Sequence, residues 1–318
     1  MFKRKYIWII IYSIVLLSFT AYVMLDTFVI TRVYSQADQL ESAFSEKLEG
    51  QTLQSAGTET EGSSETSAAE AESESETVIT KNSYYDGNIS IVISEYQEED
   101  TTIYVADVQV TSPEYLKTAL AQGLYGKNVK AATSDIAEEN DAILAVNGDY
   151  YGAQEKGYVI RNGVLYRDTS AGREDLVIYS DGSFGIINES EISAQQLLES
   201  GAWQVLSFGP ALVENGELAV SVDDEVGRAK SSNPRTAIAV IDELHYLFIV
   251  SDGRTDESEG LSLFELAEFI KGLGAETAYN LDGGGSSTMY FNGEVVNNPT
   301  TNGRKISERS VSDIVYIG

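Results

Sequence analysis

Uncharged, mostly apolar residues run from Tyr6 to Leu25, and from about Ser83 to the C-terminus short apolar stretches alternate with turn residues. The first run matches the roughly twenty residues a bilayer-spanning helix needs, and predicts one. The later pattern predicts strands. Asp86-Gly87, Asn162-Gly163, Asp181-Gly182, Asn215-Gly216 and Asn292-Gly293 each lie beside β-branched or aromatic residues, the strongest local hairpin signal. Thr236–Ile241 and Leu244–Val250, joined at Asp242-Glu243, are apolar almost throughout, which predicts a central hairpin buried on both faces. Helical signals are few. Ser112-Pro113-Glu114 offers a cap and an N-terminal proline, and Thr133 or Ser134 can cap a short helix ending at Asn140. Ser262 and Glu265 form a capping box ahead of the stripe Leu263, Leu266, Ala267 and Ile270, with Gly272 expected to close the helix. The pattern predicts an α+β fold with a mainly antiparallel or mixed β-sheet core and a few helices, preceded by one transmembrane helix.

Lys3-Arg4-Lys5 before the apolar run places the N-terminus in the cytoplasm and the rest outside. The long apolar core, with Phe19, Tyr22 and Met24 where a cleavage site would fall, favours an uncleaved signal-anchor over a cleaved secretory signal. The expected plan is a cytoplasmic tip and anchor over 1–30, a stalk and acidic linker over 31–82, and one domain over 83–318. Weak helical periodicity through Val33, Leu40, Phe44 and Leu48 predicts a short stalk helix within Thr31–Leu48. From Glu49 to Thr77, Ser, Thr, Ala and Glu alternate without a base, a composition expected to form a disordered spacer whose role is reach.

The formal charge of -29 makes nucleic acid a poor partner, because Lys and Arg drive phosphate neutralisation. With no cysteine, disulfides and thiol chemistry are excluded. One histidine excludes a zinc site built on several. That residue, His245, shares a strand face with Leu247 and Ile249, which favours a structural role over a Ser-His-Asp triad, and no Gly-x-Ser-x-Gly elbow accompanies it.

Candidate chemistry sits in polar clusters at the ends of apolar segments, where loops on a rigid sheet carry function. They are Asn147-Gly148-Asp149-Tyr150-Tyr151, Asn233-Pro234-Arg235-Thr236, Ser251-Asp252-Gly253-Arg254, Asn280 to Thr288, and Ser307 to Val311. The amides of Gly283, Gly284 and Gly285 suit an oxyanion, unless the glycines serve sterics alone. Asp282 in the same loop points to catalysis or to a metal. Arg235 and Arg309 offer guanidinium forks for a phosphate, with surface or structural ion pairs as the competing role for these and for Arg254. Tyr150 and Tyr151 suit a sugar platform or a buried strand end.

The order of Asn147–Tyr151, Pro234-Arg235-Thr236-Ala237, Asp252-Gly253-Arg254, Leu281–Ser287, Asn292-Gly293 and Glu308-Arg309 resembles the phosphodiester glycosidase family, from roughly Ala142 to the C-terminus. One departure is Asp149, where the family pattern has a second glycine. The resemblance implies hydrolysis between an anomeric carbon and a phosphodiester oxygen, with glycans of the cell envelope or exopolysaccharides as substrates. It implies Asp282 as the principal catalytic carboxylate, with Asp252 or Asp149 supplying a base or orienting the sugar. Asn147, Arg235, Gly283, Gly284, Gly285, Ser286 and Arg309 are the expected substrate- and phosphate-binding residues, and Glu308 the structural partner of Arg309. The leaving group is already stable as an anion, so one carboxylate can carry most of the catalysis where glycosidases usually need two. No cofactor is required by the sequence. Calcium or magnesium on Asp149, Asp252 and Asp282 belongs to a competing phosphodiesterase reading, and a non-catalytic glycan-binding scaffold is the other alternative.

Overall fold

The computed structural model describes residues 6–36, 77–222 and 232–318. An apolar helix, Ile7–Phe28, has no buried residue and is long enough to cross a membrane. Behind it lies a β-rich body in which every strand pairing among the described residues is antiparallel.

The expected central hairpin is present as Arg235–Asp242 and His245–Ser251. It lies in the middle of a nine-stranded sheet, between Thr277–Asn280 on one side and Thr101–Val110 on the other. Alternation along it feeds two cores. Ile238, Val240, Tyr246, Phe248 and Val250 join Leu144, Val146, Leu176, Leu206 and Val315 from two five-stranded sheets. Ala237, Ala239, Leu247 and Ile249 pack under the helix Leu263–Gly272. Burial on both faces explains the continuous apolar run.

All five turn pairs close hairpins. Asn162-Gly163, Asn215-Gly216 and Asn292-Gly293 have positive φ at both residues, as a type I′ turn requires. The Ser262–Glu265 capping box forms, but the helix runs through Gly272, and Gly274 takes the left-handed conformation beyond it. At Pro113–Tyr115 the expected helix is a single 3-10 turn. A capped helix that the sequence reading missed, Ala194–Glu199, starts at a Ser193–Gln196 capping box.

Arg32–Gln36 is a strand where a stalk helix was expected, paired with Leu124–Lys127 of the body. The remainder of the expected stalk helix and almost all of the acidic spacer lie outside the described residues. Gln36 before this stretch and Val78 after it are both paired to the body.

Candidate active site

Asp282 leaves the strand Thr277–Asn280 beside the central hairpin. The Leu281 amide donates to Thr236 O at 2.9 Å and the Asp282 amide to Gly148 O at 3.3 Å, so the loop is wedged between two motif segments. Arg309 arrives from the segment before the last strand. Its backbone amide donates to Gly285 O at 3.1 Å. Its Nη2 donates to Asp282 Oδ2 at 3.0 Å and to Gly283 O at 3.0 Å, and its Nε to Ser286 Oγ at 2.9 Å. Ser286 Oγ in turn donates to Asp282 Oδ2 at 2.7 Å. Both side-chain donors therefore fall on one oxygen of the aspartate. Burial pushes the Asp282 carboxyl up, against the pull of Arg309 and Ser286. The Arg309 side chain keeps 41% exposure, leaving part of its guanidinium facing solvent.

Lys130, not singled out by the sequence, completes this cluster. Ala131 bridges to Val311, which sets Lys130 beside the Arg309 segment. Its ammonium lies 5.9 Å from the centroid of the Tyr150 ring. Burial lowers its pKa first, Arg309 lowers it further, and Asp282 opposes both. Arg254 borders the same loop: it donates to Asn233 Oδ1 and to Thr301 O, and a Cβ on Gly284 would lie 2.9 Å from its Nη2. Arg235 is buried against Gly283 and donates from Nε to Leu261 O at 2.8 Å. Four basic side chains thus gather around one loop of a strongly acidic chain.

Other expected site residues hold the platform. Asn147 is fully buried. Its amide donates to Asp282 O at 2.6 Å, while its Oδ1 accepts from Thr236 Oγ1 and from the Thr288 amide. It ties three motif segments together instead of facing a ligand. Asp149 accepts from the Tyr151 and Ser207 amides and pairs with Arg161 at 2.8 Å. Asp252 is used by the Asn297 side chain and by the backbone and side chain of Asn298. Both carboxylates are buried and hydrogen-bonded within the platform. Tyr151 is buried and stacked on Tyr125 at 5.4 Å, so only Tyr150 borders the site.

The glycine run also differs from a complete anion nest. The Gly284 amide donates to Pro234 O, and the Ser286 and Ser287 amides close a 3-10 turn. A Cβ on Gly285 would lie 3.0 Å from Thr301 Cα, so close packing is one reason for glycine there. The arginines and the lysine supply the positive charge instead.

Beneath the site is a buried triad. Arg161 donates from Nε and Nη2 to Asp313 Oδ2 at 2.9 and 2.7 Å, and from Nη2 to Asp149. Burial and Asp149 push the Asp313 carboxyl up while Arg161 pulls it down. The signal for this triad was present: Arg161 and Asp313 are charges inside apolar strands, and a buried charge needs a partner. Glu308 does not pair with Arg309 as expected. Its carboxylate accepts from the amide of Ser134 at 3.0 Å and from that residue's hydroxyl at 2.5 Å, at the start of the helix Thr133–Glu139.

Among the described residues no group of three or more acids or histidines is arranged to hold a metal ion. Asp149, Asp252 and Asp282 are therefore not such a group. A cavity of about 380 Å³ beside the helix Leu263–Gly272 is lined by Glu98, Glu99, Glu265 and Glu268, whose charges would repel a phosphodiester.

Residues 140–318 match the phosphodiester glycosidase family model. The chain belongs to the phosphodiester glycosidase family. The SPbeta prophage-derived uncharacterized protein YomE of Bacillus subtilis is 27% identical over 61% of this chain and 30% of its own length. The N-acetylglucosamine-1-phosphodiester alpha-N-acetylglucosaminidase of Mus musculus is 28% identical over 54% of this chain and 36% of its own. The chain spans about a third of the length of these curated relatives. Among solved structures, the catalytic domain of the zebrafish N-acetylglucosamine-1-phosphodiester alpha-N-acetylglucosaminidase, auto-inhibited by its pro-peptide, superposes with a TM-score of 0.58. It is 22% identical and covers 72% of this chain and 82% of that one. A hypothetical protein from Synechocystis gives 0.56 at 14% identity, covering 72% of this chain and 62% of that one. This phosphodiester glycosidase family member therefore shares its fold with both, including strands that precede residue 140.

Proposed function

We propose that this chain hydrolyses the bond between an anomeric carbon and a phosphodiester oxygen, in glycans of the cell envelope or exopolysaccharide. The observation that carries the reading is Asp282, held on one oxygen by Arg309 and Ser286 in a setting of basic side chains. The family and the activity named for its mammalian relative point the same way. In the reaction, a water oxygen becomes bonded to the anomeric carbon, either directly or by displacing Asp282 from a glycosyl ester formed first. The carbon–oxygen bond to phosphorus breaks, and its electron pair leaves with the phosphate monoester. Asp282 accepts the water proton in the hydrolytic step. Arg309 and Lys130 offset the second negative charge as it develops on the leaving phosphate, and Tyr150 offers a face to the sugar.

The apolar helix Ile7–Phe28 supports a single-pass anchor with the N-terminus in the cytoplasm and the body outside. The reading asks for no divalent cation. Labelled water tests it. A sugar-1-phosphodiester incubated with the full chain in detergent should yield a reducing sugar carrying the label. Label in the phosphate would instead mean cleavage at phosphorus, and binding without turnover would leave a glycan-binding scaffold.

A further inference from the structure

The junction between the N-terminal helix and the body is built to hold the two together. Asn128 Nδ2 donates to Thr27 O at 3.2 Å and to Ile30 O at 3.0 Å, carbonyls at and just beyond the helix end. Asp26 pairs with Arg32, and its other oxygen lies 3.9 Å from Lys127 Nζ. Arg32–Gln36 then runs antiparallel to Leu124–Lys127, with Tyr34 and Tyr125 in ring contact at 5.8 Å. Gly126 lies under this strand so closely that a Cβ there would run into Arg32 O and sit 3.0 Å from its carbonyl carbon.

The same segment leads straight to the active site. Lys130 is two residues beyond Asn128, and Ala131 is bridged to Val311 near Arg309. Two residues of chain extend at most about 7 Å, so with the Asn128 side chain included the Lys130 backbone lies within about 15 Å of Ile30. The helix Ile7–Phe28 has 22 residues. At about 1.5 Å per residue it is just long enough for a hydrocarbon core of about 30 Å, so Ile30 belongs at the bilayer surface. The reach between the helix and the body is set by residues 29–31 alone, because Arg32–Gln36 is already paired to the body.

We infer that the substrate is a sugar-1-phosphodiester carried by a membrane lipid, presented at the bilayer face next to Lys130 and Arg309. This rests on the hydrolase and anchor readings above. A site fixed this near the surface meets lipid-borne headgroups at high local concentration, whereas linkages far out in the envelope lie beyond it.

The test uses the full chain in proteoliposomes and two probes: an N-acetylglucosamine-1-phosphodiester of a long-chain alcohol in the same bilayer, and its water-soluble methyl counterpart. A second chain carries about thirty flexible Gly-Ser residues inserted between Ile30 and Thr31, which frees the body from the surface. The insertion should lower turnover of the lipid ester by roughly tenfold or more and leave the methyl ester unchanged. Unchanged methyl-ester turnover also reports that the inserted chain is folded. Gly126→Val, which unseats the strand at its closest approach, should show the same selective loss. Equal lipid-ester rates for all three chains, or cleavage of the methyl ester alone, would overturn the inference. Cleavage of neither ester by any chain would overturn the hydrolase reading, and this one with it.

Discussion

Gly148 and Asp313 share a space that only a glycine leaves open: a Cβ at position 148 would lie 2.7 Å from Cγ of the Asp313 carboxylate. The Gly148 amide donates to Asp313 O at 2.9 Å, and its carbonyl accepts from the Asp282 amide. One residue thus couples the buried triad to the Asp282 loop. Gly148→Ala should displace Asp313 and cost about 1–3 kcal/mol, the usual range for overpacking a filled interior. Urea unfolding of the detergent-solubilised full chain measures the loss. A variant as stable as the parent would show that the carboxylate moves aside freely.

Asp282→Asn keeps the shape and removes the charge proposed to serve as base or nucleophile. Turnover should fall by about 10²–10⁴-fold with KM little changed. Arg309→Lys loses the fork that spans Asp282, Ser286 and Gly283, so it should raise KM as well as lower kcat. Steady-state kinetics on a sugar-1-phosphodiester separates the two. Near-normal turnover by Asp282→Asn would remove this residue from the chemistry.

Arg161→Met leaves Asp149 and Asp313 as buried carboxylates with no counter-charge. Breaking a buried pair from one side costs about 3–5 kcal/mol. Loss of stability should therefore precede any selective loss of activity, and replacing all three members by apolar residues of similar volume should recover much of it. Thermal unfolding of the single and triple variants distinguishes a structural triad from a catalytic one.

Asp175 is buried, and desolvation, followed by nearby Glu189, pushes its carboxyl up to about 9. The fold favours the protonated form. Its contribution is fully present below the ordinary carboxyl value near pH 4 and is lost as the pH rises toward about 9. The parent should lose melting temperature through that window, and Asp175→Asn should flatten the slope. A steeper slope in the variant would reverse the assignment.

The strands that flank residues 37–76, Arg32–Gln36 and Val78–Ile79, are both paired to the body. Deleting residues 49–76 should leave the fold and turnover intact. The shorter loop should add about 1 kcal/mol of stability through its lower closure entropy. A marked fall in melting temperature would mean that the deleted residues pack on the body.

The sequence alone determined the long apolar N-terminal helix, the central hairpin, the five turn pairs and the Ser262 capping box. Those features depend on residues adjacent in the chain: an Asn-Gly pair accepts positive φ wherever it sits, and a serine three residues before a glutamate can satisfy orphan amides locally. The same locality explains why Asp282 and Arg309 were legible as candidates from the motif loops they occupy. Only the tertiary structure decided what each polar residue does. Asn147, Asp149, Asp252 and Asp282 look alike as strand-end acids and amides, yet the first three spend their polar atoms on Thr288, Arg161 and Asn298, while Asp282 keeps an oxygen that neither Arg309 nor Ser286 occupies. Lys130 reaches the site, Arg161 finds Asp313 across 152 positions, and Arg32–Gln36 becomes a strand, each through a neighbour remote in sequence. A side chain's charge state and role follow from which groups share its volume, and that sharing is set by sheet packing rather than by the order of residues along the chain.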